Sequence, residues 1–381
     1  MIAFDLALPR KVIFGSGRAD ELAALLPTLG RRVLLCTGSD PSRHRALLGD
    51  VEPVAVVSVT REPTVDDVRA ATEQARAAAV DAVVAIGGGS PMDLGKVVAA
   101  LLGNGTDPLD HLEIVGRGVP PARPSVPFVA VPTTAGTGSE ATANAPLRSP
   151  EHGLKSSVRS PHLLATVALV DPLLTLGCPP AVTASSGFDA LTQCLEPFVS
   201  PQGNPATDAV AVEGLRRGAR SLRRAYEHGD DREAREGMAL CSLFGGIALA
   251  NAKLGAVHGL AGVVGGMTDA PHGAVCAALL APVVEANVAA LREREPDSPA
   301  LHRYTEAARL LTGRDDAGVD EGLDWLRTTV SALDVPPLGA VGLRTDTYPE
   351  VAEKAANASS MKGNPIRLRA DELVAVLEAA S

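Results

Sequence analysis

Five apolar runs between residues 31 and 171, RRVLLCTG, VEPVAVVSVT, VDAVVAIGGG, VPFVAVPTT and ATVALVD, are nearly continuous in Val, Ala, Ile and Leu. Strands built from such runs must be buried on both faces, which restricts this half to a mostly parallel sheet covered by helices. The intervening segments 64–79 (TVDDVRAATEQARAAA) and 91–101 (PMDLGKVVAAL) carry helical spacing. From about residue 181 the β-branched runs disappear. Long Ala/Leu stretches at 204–225, 232–250, 273–290 and 301–312 predict helices only. Pro179 and Pro180 mark the change, because proline neither donates to a strand ladder nor sits within a helix. The expectation is an α/β dinucleotide-binding domain over 1–180 and an all-α domain over 181–381, with PPARPSVP as a loop and the cleft between the halves as the site of chemistry.

Composition narrows the partners. A chain of 381 residues exceeds what one core usually serves, and 46% hydrophobic residues can fill two. Only 3% of residues are aromatic, which leaves few platforms for stacking bases. A net charge of -10 with no basic run argues against nucleic acid or an anionic membrane. No uninterrupted apolar segment reads as long enough to cross a bilayer, and MIAFDLALPRKVIFG lacks the order of a secretory signal, so the expected location is cytoplasmic. Cys36, Cys178, Cys194, Cys241 and Cys276 are odd in number and scattered, the pattern of buried thiols rather than disulfides.

Two loops carry a cofactor signal. After DAVVAI come Gly87, Gly88, Gly89 and Ser90, then Pro91 and a helix bearing Asp93 and Lys96. The glycines permit close backbone approach, and the helix start offers free amides to a diphosphate. After FVAVP come Thr133, Thr134, Gly136, Thr137, Gly138 and Ser139, whose hydroxyls can bond phosphate, ribose or carboxamide. The spacing is neither Gly-x-Gly-x-x-Gly nor a Walker loop, so ATP is disfavoured. Gly38, Ser39 and Asp40 end the first long strand, where the adenosine ribose of a dinucleotide should lie. Gly38 and Ser39, with Arg43 nearby, lean toward tolerance of NADP(H), while Asp40 keeps NAD(H) open.

The reacting centre is expected in the helical half. Asp189 and Gln193 are four residues apart on one helical face, with Ser185 or Ser186 as a cap, and His258 and His272 come from two further helices. A carboxylate with two imidazoles suits Fe2+ or Zn2+. Gln193 is a poor fourth ligand, and an amide there should cost several kcal/mol of affinity, leaving the metal weakened or absent. Cys194 and Cys276 read as packing, and His44, His111, His152, His162, His228 and His302 as surface or loop residues.

These motifs resemble the iron-containing (group III) alcohol dehydrogenase family, which includes maleylacetate reductases and glycerol dehydrogenase-like relatives. The likeness runs through VIFGSG, GGGSPMDLGK, PTTAGTGSEAT, Lys155, ALVDP, GFDALTQCLEPFVS, NPATDA, GAVHGL and APHGAVCAALLAPVVEAN. It implies a dehydroquinate synthase-like fold, a homodimer, and nicotinamide meeting substrate between the domains. Gly88, Gly89 and Ser90 would contact the diphosphate, Thr133, Thr134 and Thr137 the adenine and nicotinamide side, and Lys155 the nicotinamide ribose. Asp189, Gln193, His258 and His272 fall on the metal-ligand positions. Histidine is usual where this chain has Gln193, and a histidine common four residues after His258 is replaced by Gly262. Maleylacetate reductases share weakened metal dependence but carry asparagine at the Asp189 position, so a divergent branch is expected.

The reaction that follows is hydride transfer between NAD(P)H and a small aldehyde, ketone or alcohol, with Asp189, Gln193, His258 and His272 as catalytic residues. Three alternatives remain at this point. One is a metal-independent oxo-acid reductase in which a histidine imidazolium and Gln193 stabilise the oxygen. The others are a nonredox lyase or cyclase that recycles NAD, and a noncatalytic dinucleotide sensor.

Overall fold

The computed structural model describes residues 3–152, 154–268 and 270–381, which gather into two compact units. One contains residues 7–134 and 138–175; the other contains 3–6, 135–137 and 176–381.

The first unit has strands β1 (Val12–Phe14), β2 (Val33–Thr37), β3 (Ala55–Ser58), β4 (Ala82–Gly87), β5 (Phe128–Pro132), β6 (Asn144–Ser149), β7 (Leu154–Arg159) and β8 (Val167–Val170). Six form a parallel sheet in the order β1-β8-β5-β4-β2-β3. Every residue of β2, β4 and β5 is buried, which is why these runs show no polar alternation. The chain leaves β2 for β3 on one side and then returns to β4 on the other. The carboxyl ends of β2 and β4 therefore flank a topological switch point, the usual ligand position of an open α/β sheet.

Helices α1 (Leu22–Leu29), α2 (Val65–Ala77), α3 (Gly89–Asn104) and the short α4 (Pro108–His111) belong to the same unit. A reciprocal cap starts α2: Thr64 Oγ1 accepts from the Asp67 amide, and the Asp67 carboxylate accepts from the Thr64 amide. In α3, Pro91 through Leu101 are all buried. The buried Lys96 donates to Thr142 Oγ1 at 2.8 Å and to the Asn144 carbonyl at 3.0 Å. Burial pushes its ammonium down to about 8, against the opposing pull of Asp93 and Glu140.

β6 and β7, an antiparallel hairpin, are not apparent in the sequence. Their inward positions include Ser149 and Ser156, and Pro146, Arg148 and Lys155 interrupt the apolar pattern. His111, expected as a surface or loop residue, takes the loop role from a buried position. It is buried, with Nδ1 2.6 Å from the Val119 carbonyl and Nε2 2.7 Å from Thr106 Oγ1, where it ties a loop.

The second unit is helical: α5 (Pro180–Val199), α6 (Pro205–Glu227), α7 (Arg232–Ala252), α8 (Ala256–Met267), α9 (His272–Arg294), α10 (Pro299–Thr312), α11 (Val319–Ala332), α12 (Tyr348–Ala356) and α13 (Ala370–Ala379). Helix α5 begins at Pro180, whose missing N–H is harmless in the first turn. Ser185 and Ser186 consequently do not cap it; their hydroxyls turn back to the Val182 carbonyl from inside the helix. Helix α9, interrupted by Glu285 and Asn287, is the one described helix long and apolar enough by overall composition to cross a membrane. It passes on length and composition, but 72% of its apolar window is buried inside the protein, as in the core helix of a folded domain.

Candidate metal and cofactor sites

Helix α5 presents Asp189, Gln193 and Glu196 at positions i, i+4 and i+7, one continuous stripe. Helix α8 opens with Ala256, Val257 and His258, and α9 opens with His272 itself. Two glycines allow these helix starts to close on α5. A Cβ at Gly255 would lie 3.0 Å from Glu196 Oε1, and one at Gly273 would lie 2.2 Å from the Ser185 carbonyl oxygen.

The result brings together the three groups expected to converge. Asp189 Oδ1 lies 3.2 Å from His258 Nε2 and 4.0 Å from His272 Nε2, and the two imidazole centroids are 5.4 Å apart. Asp189 and His258 are almost fully buried, with 3% and 7% of their side chains exposed, whereas His272 keeps 28%. Burial alone would raise the Asp189 carboxyl, but the hydrogen bond from His258, the neighbouring imidazoles and a hydrogen bond from Gln193 hold it below the ordinary value.

Glu196 is a functional candidate that sequence reasoning passed over. Its Oε2 accepts from His258 Nδ1 at 2.7 Å, and its Oε1 accepts from the Val257 amide at 2.7 Å. One carboxylate thus satisfies an orphan amide of α8 and fixes the His258 tautomer, which leaves Nε2 facing Asp189 and His272. Burial disfavours charge on His258, but Glu196 and Asp189 outweigh it and push the imidazole up to about 9. The signal was present in the sequence as a third polar residue on the Asp189 stripe.

Cys276 is buried in the helical core, as its reading as packing expects, and it also borders the polar cluster. It follows His272 by one turn, and its Sγ lies 3.7 Å from His272 Nε2. One donor atom each from Asp189, His258, His272 and Cys276 falls within 4.8 Å of the rest. Cys194 does pack, with its Sγ against the Cys241 carbonyl at 3.5 Å. Gln193 is buried, and its Oε1 has no hydrogen-bond partner. An orphaned amide oxygen beside a carboxylate, two imidazoles and a thiol fits a divalent cation, since each of these groups offers a lone pair.

The residues expected to bind a dinucleotide lie mainly in the α/β unit. Gly88 is the N-cap of α3 and offers no side chain to its first-turn amides, and Gly89 and Ser90 begin that helix. A Cβ on Gly88 would meet Thr134 Oγ1 at 3.4 Å, while one on Gly38 would meet nothing within 4 Å. No side chain caps α3, so its first-turn amides are the candidate position for an anion such as a diphosphate. Gly87 ends β4, and Thr133, which follows β5, donates its amide to the Gly87 carbonyl at 2.9 Å. Asp40 accepts from the Ser42 hydroxyl and amide at 2.6 and 2.9 Å, and these bonds hold its carboxyl below the ordinary range.

Other expected contacts are engaged within the protein. Ser139 Oγ donates to Asp93 at 2.7 Å, and Lys155 pairs with Glu62. Thr137, with Ala135 and Gly136, is grouped with the helical unit rather than with Thr133 and Thr134.

Replacing Glu196 by Gln should weaken metal binding by about 10–100-fold. The amide can accept from only one of the two N–H groups that now share the carboxylate, leaving the other unsatisfied. Competition with a chromophoric chelator measures the change; unchanged affinity would remove Glu196 from the site.

Comparison with known proteins places the whole chain in one family. The family model "Iron-containing alcohol dehydrogenase" matches residues 9–172, and "Fe-containing alcohol dehydrogenase family, C-terminal" matches residues 183–381. The chain is 32% identical over 390 aligned positions to 1,3-propanediol dehydrogenase of Klebsiella pneumoniae, with 99% of this chain and 98% of that protein covered. It is similar to a crystal structure of 1,3-propanediol oxidoreductase at TM-score 0.90 and 30% identity, covering 100% of both chains. It is also similar to sulfoacetaldehyde reductase from Bifidobacterium kashiwanohense in complex with NAD+, at TM-score 0.86 and 26% identity, covering 100% of this chain and 99% of that one.

Proposed function

Because the chain belongs to the iron-containing alcohol dehydrogenase family, we propose that Asp189, His258 and His272 hold a divalent cation beside which a small alcohol or aldehyde exchanges hydride with a nicotinamide. The chain is an NAD-dependent oxidoreductase of alcohols and aldehydes. The observation that carries the ligand assignment is the approach of Asp189 Oδ1 to both imidazole Nε2 atoms, at 3.2 and 4.0 Å. Bonds of about 2.0–2.2 Å at tetrahedral angles would place such donor atoms about 3.3–3.6 Å apart.

When bound, the cation polarises a carbonyl and lowers an alcohol pKa, and the nicotinamide carries the hydride. The chain's own groups prepare that chemistry. Asp189 remains ionised and supplies negative charge in a buried place. Glu196 holds the proton of His258 on Nδ1, so that Nε2 is the donor atom. The unpartnered Oε1 of Gln193 is available to accept from a substrate hydroxyl, beside the expected roles of Gln193 as weak ligand or as donor to the substrate oxygen. Beside His258, Gly262 leaves open space, since an added Cβ there would meet nothing within 4 Å.

In the α/β unit, the uncapped first turn of α3 receives the diphosphate, while Asp40 favours the ribose hydroxyls of NAD(H) over a 2′-phosphate. The metal-independent reading is weaker. Without metal, His258 or His272 would have to offer a proton to substrate; both ring nitrogens of His258 face carboxylates, which leaves that role to His272 alone.

Reduction of short aliphatic aldehydes, including a hydroxyaldehyde and a sulfonated aldehyde, should consume NADH faster than NADPH. Chelation should abolish most of that rate, and re-addition of Fe2+ or Zn2+ should restore it. Full activity in a protein stripped of metal would reject the proposal.

A further inference from the structure

We infer that Cys276 is the fourth protein ligand, so that the cation is held by one carboxylate, two imidazoles and one thiolate while Gln193 stays outside its coordination sphere. This rests on the metal reading above and specifies it. Cys276 and His272 are i and i+4 residues on α9, hence stacked on one face. Zinc–sulfur and zinc–nitrogen bonds of about 2.3 and 2.0–2.1 Å at a tetrahedral angle separate the two ligand atoms by about 3.6 Å. The observed separation of Sγ from Nε2 is 3.7 Å. Within the same 4.8 Å cluster lie the Asp189 and His258 donor atoms.

Chemistry separates the two contenders for the fourth place. A thiolate is a charged, soft donor, and together with Asp189 it neutralises a divalent ion; an amide oxygen is neutral and weak. The Gln193 amide N–H donates to Asp189, so only its neutral Oε1 is left to compete with the thiolate. On metal binding the thiol proton is released to solvent and a metal–sulfur bond forms, with no change of oxidation state. A sulfur ligand shifts the preference toward zinc or cobalt relative to an all nitrogen and oxygen site.

Addition of Co2+ to the full-length protein, stripped of metal under reducing conditions, tests the assignment. Native protein should bind one cobalt with visible d–d absorption and an intense near-ultraviolet sulfur-to-cobalt charge-transfer band. Cys276→Ser should lose the near-ultraviolet band while Gln193→Ala retains it. Bound cobalt without that band in native protein, or a band that persists in Cys276→Ser, would overturn the thiolate assignment and leave the metal reading intact. No bound cobalt would overturn both. Should the serine variant misfold, X-ray absorption of native zinc-loaded protein decides: one sulfur neighbour at about 2.3 Å supports the inference, and a shell of nitrogen and oxygen alone refutes it.

Discussion

Asp189→Ala is expected to lower kcat/KM for aldehyde reduction by at least about 10^3-fold and to release the bound metal. The magnitude follows from losing several kcal/mol of charge stabilisation at the reacting oxygen, each 1.36 kcal/mol of which is about tenfold in rate. Asp189 is the hub of the cluster, because its Oδ1 faces both imidazoles. Without it, His258 keeps Glu196 as its buried carboxylate partner and is held in place. The defect should therefore appear in metal content and kcat rather than as loss of the fold. Asp189→Asn separates charge from shape: it keeps the volume, and it too should lose metal. Activity within tenfold of the native value in both variants would show that the carboxylate does not serve the reaction.

Gly273→Ala should be strongly damaging to the helical unit and to the cluster at the start of α9. The new Cβ would fall 2.2 Å from the Ser185 carbonyl oxygen and 2.6 Å from its carbon, and these are backbone atoms within α5. Overpacking against backbone costs about 3 kcal/mol or more, and relief requires the start of α9 to move. That start carries His272 and, one turn later, Cys276. A displacement of about 1 Å at a reacting centre can cost about 10^2-fold in rate. A lower melting temperature and a loss of kcat of that order are expected together. Gly265→Ala in α8 is the control, because its Cβ would meet nothing within 4 Å; alanine there should leave the melting temperature unchanged or raise it. Equal behaviour of the two variants would contradict the packing account.

The α/β half was legible because β2, β4 and β5 are buried on both faces and so spell themselves as unbroken apolar runs. β1 is only three residues long, too short for periodicity to register. The β6–β7 hairpin was hidden because serines occupy some of its buried positions, where hydrophobic patterning sees nothing. At the site, Asp189, His258 and His272 stood out as polar residues among apolar and glycine neighbours. Glu196 and Cys276 did not, although each lies at helical spacing from a residue already singled out. Their importance depends on which face of α5 meets α8 and α9, and that is set by contacts such as Gly255 against Glu196 and Gly273 against Ser185. Helix-to-helix packing of this kind joins residues about 60 to 90 positions apart in the chain and leaves no local trace in sequence.

An anomalous difference map from crystals of the catalytically active enzyme, collected at the iron, cobalt and zinc absorption edges, tests the central claim most directly. One peak about 2.0–2.2 Å from a carboxylate oxygen of Asp189 and from Nε2 of both His258 and His272 is predicted. Active crystals with no peak there, or with the ion bound by other residues, would contradict it.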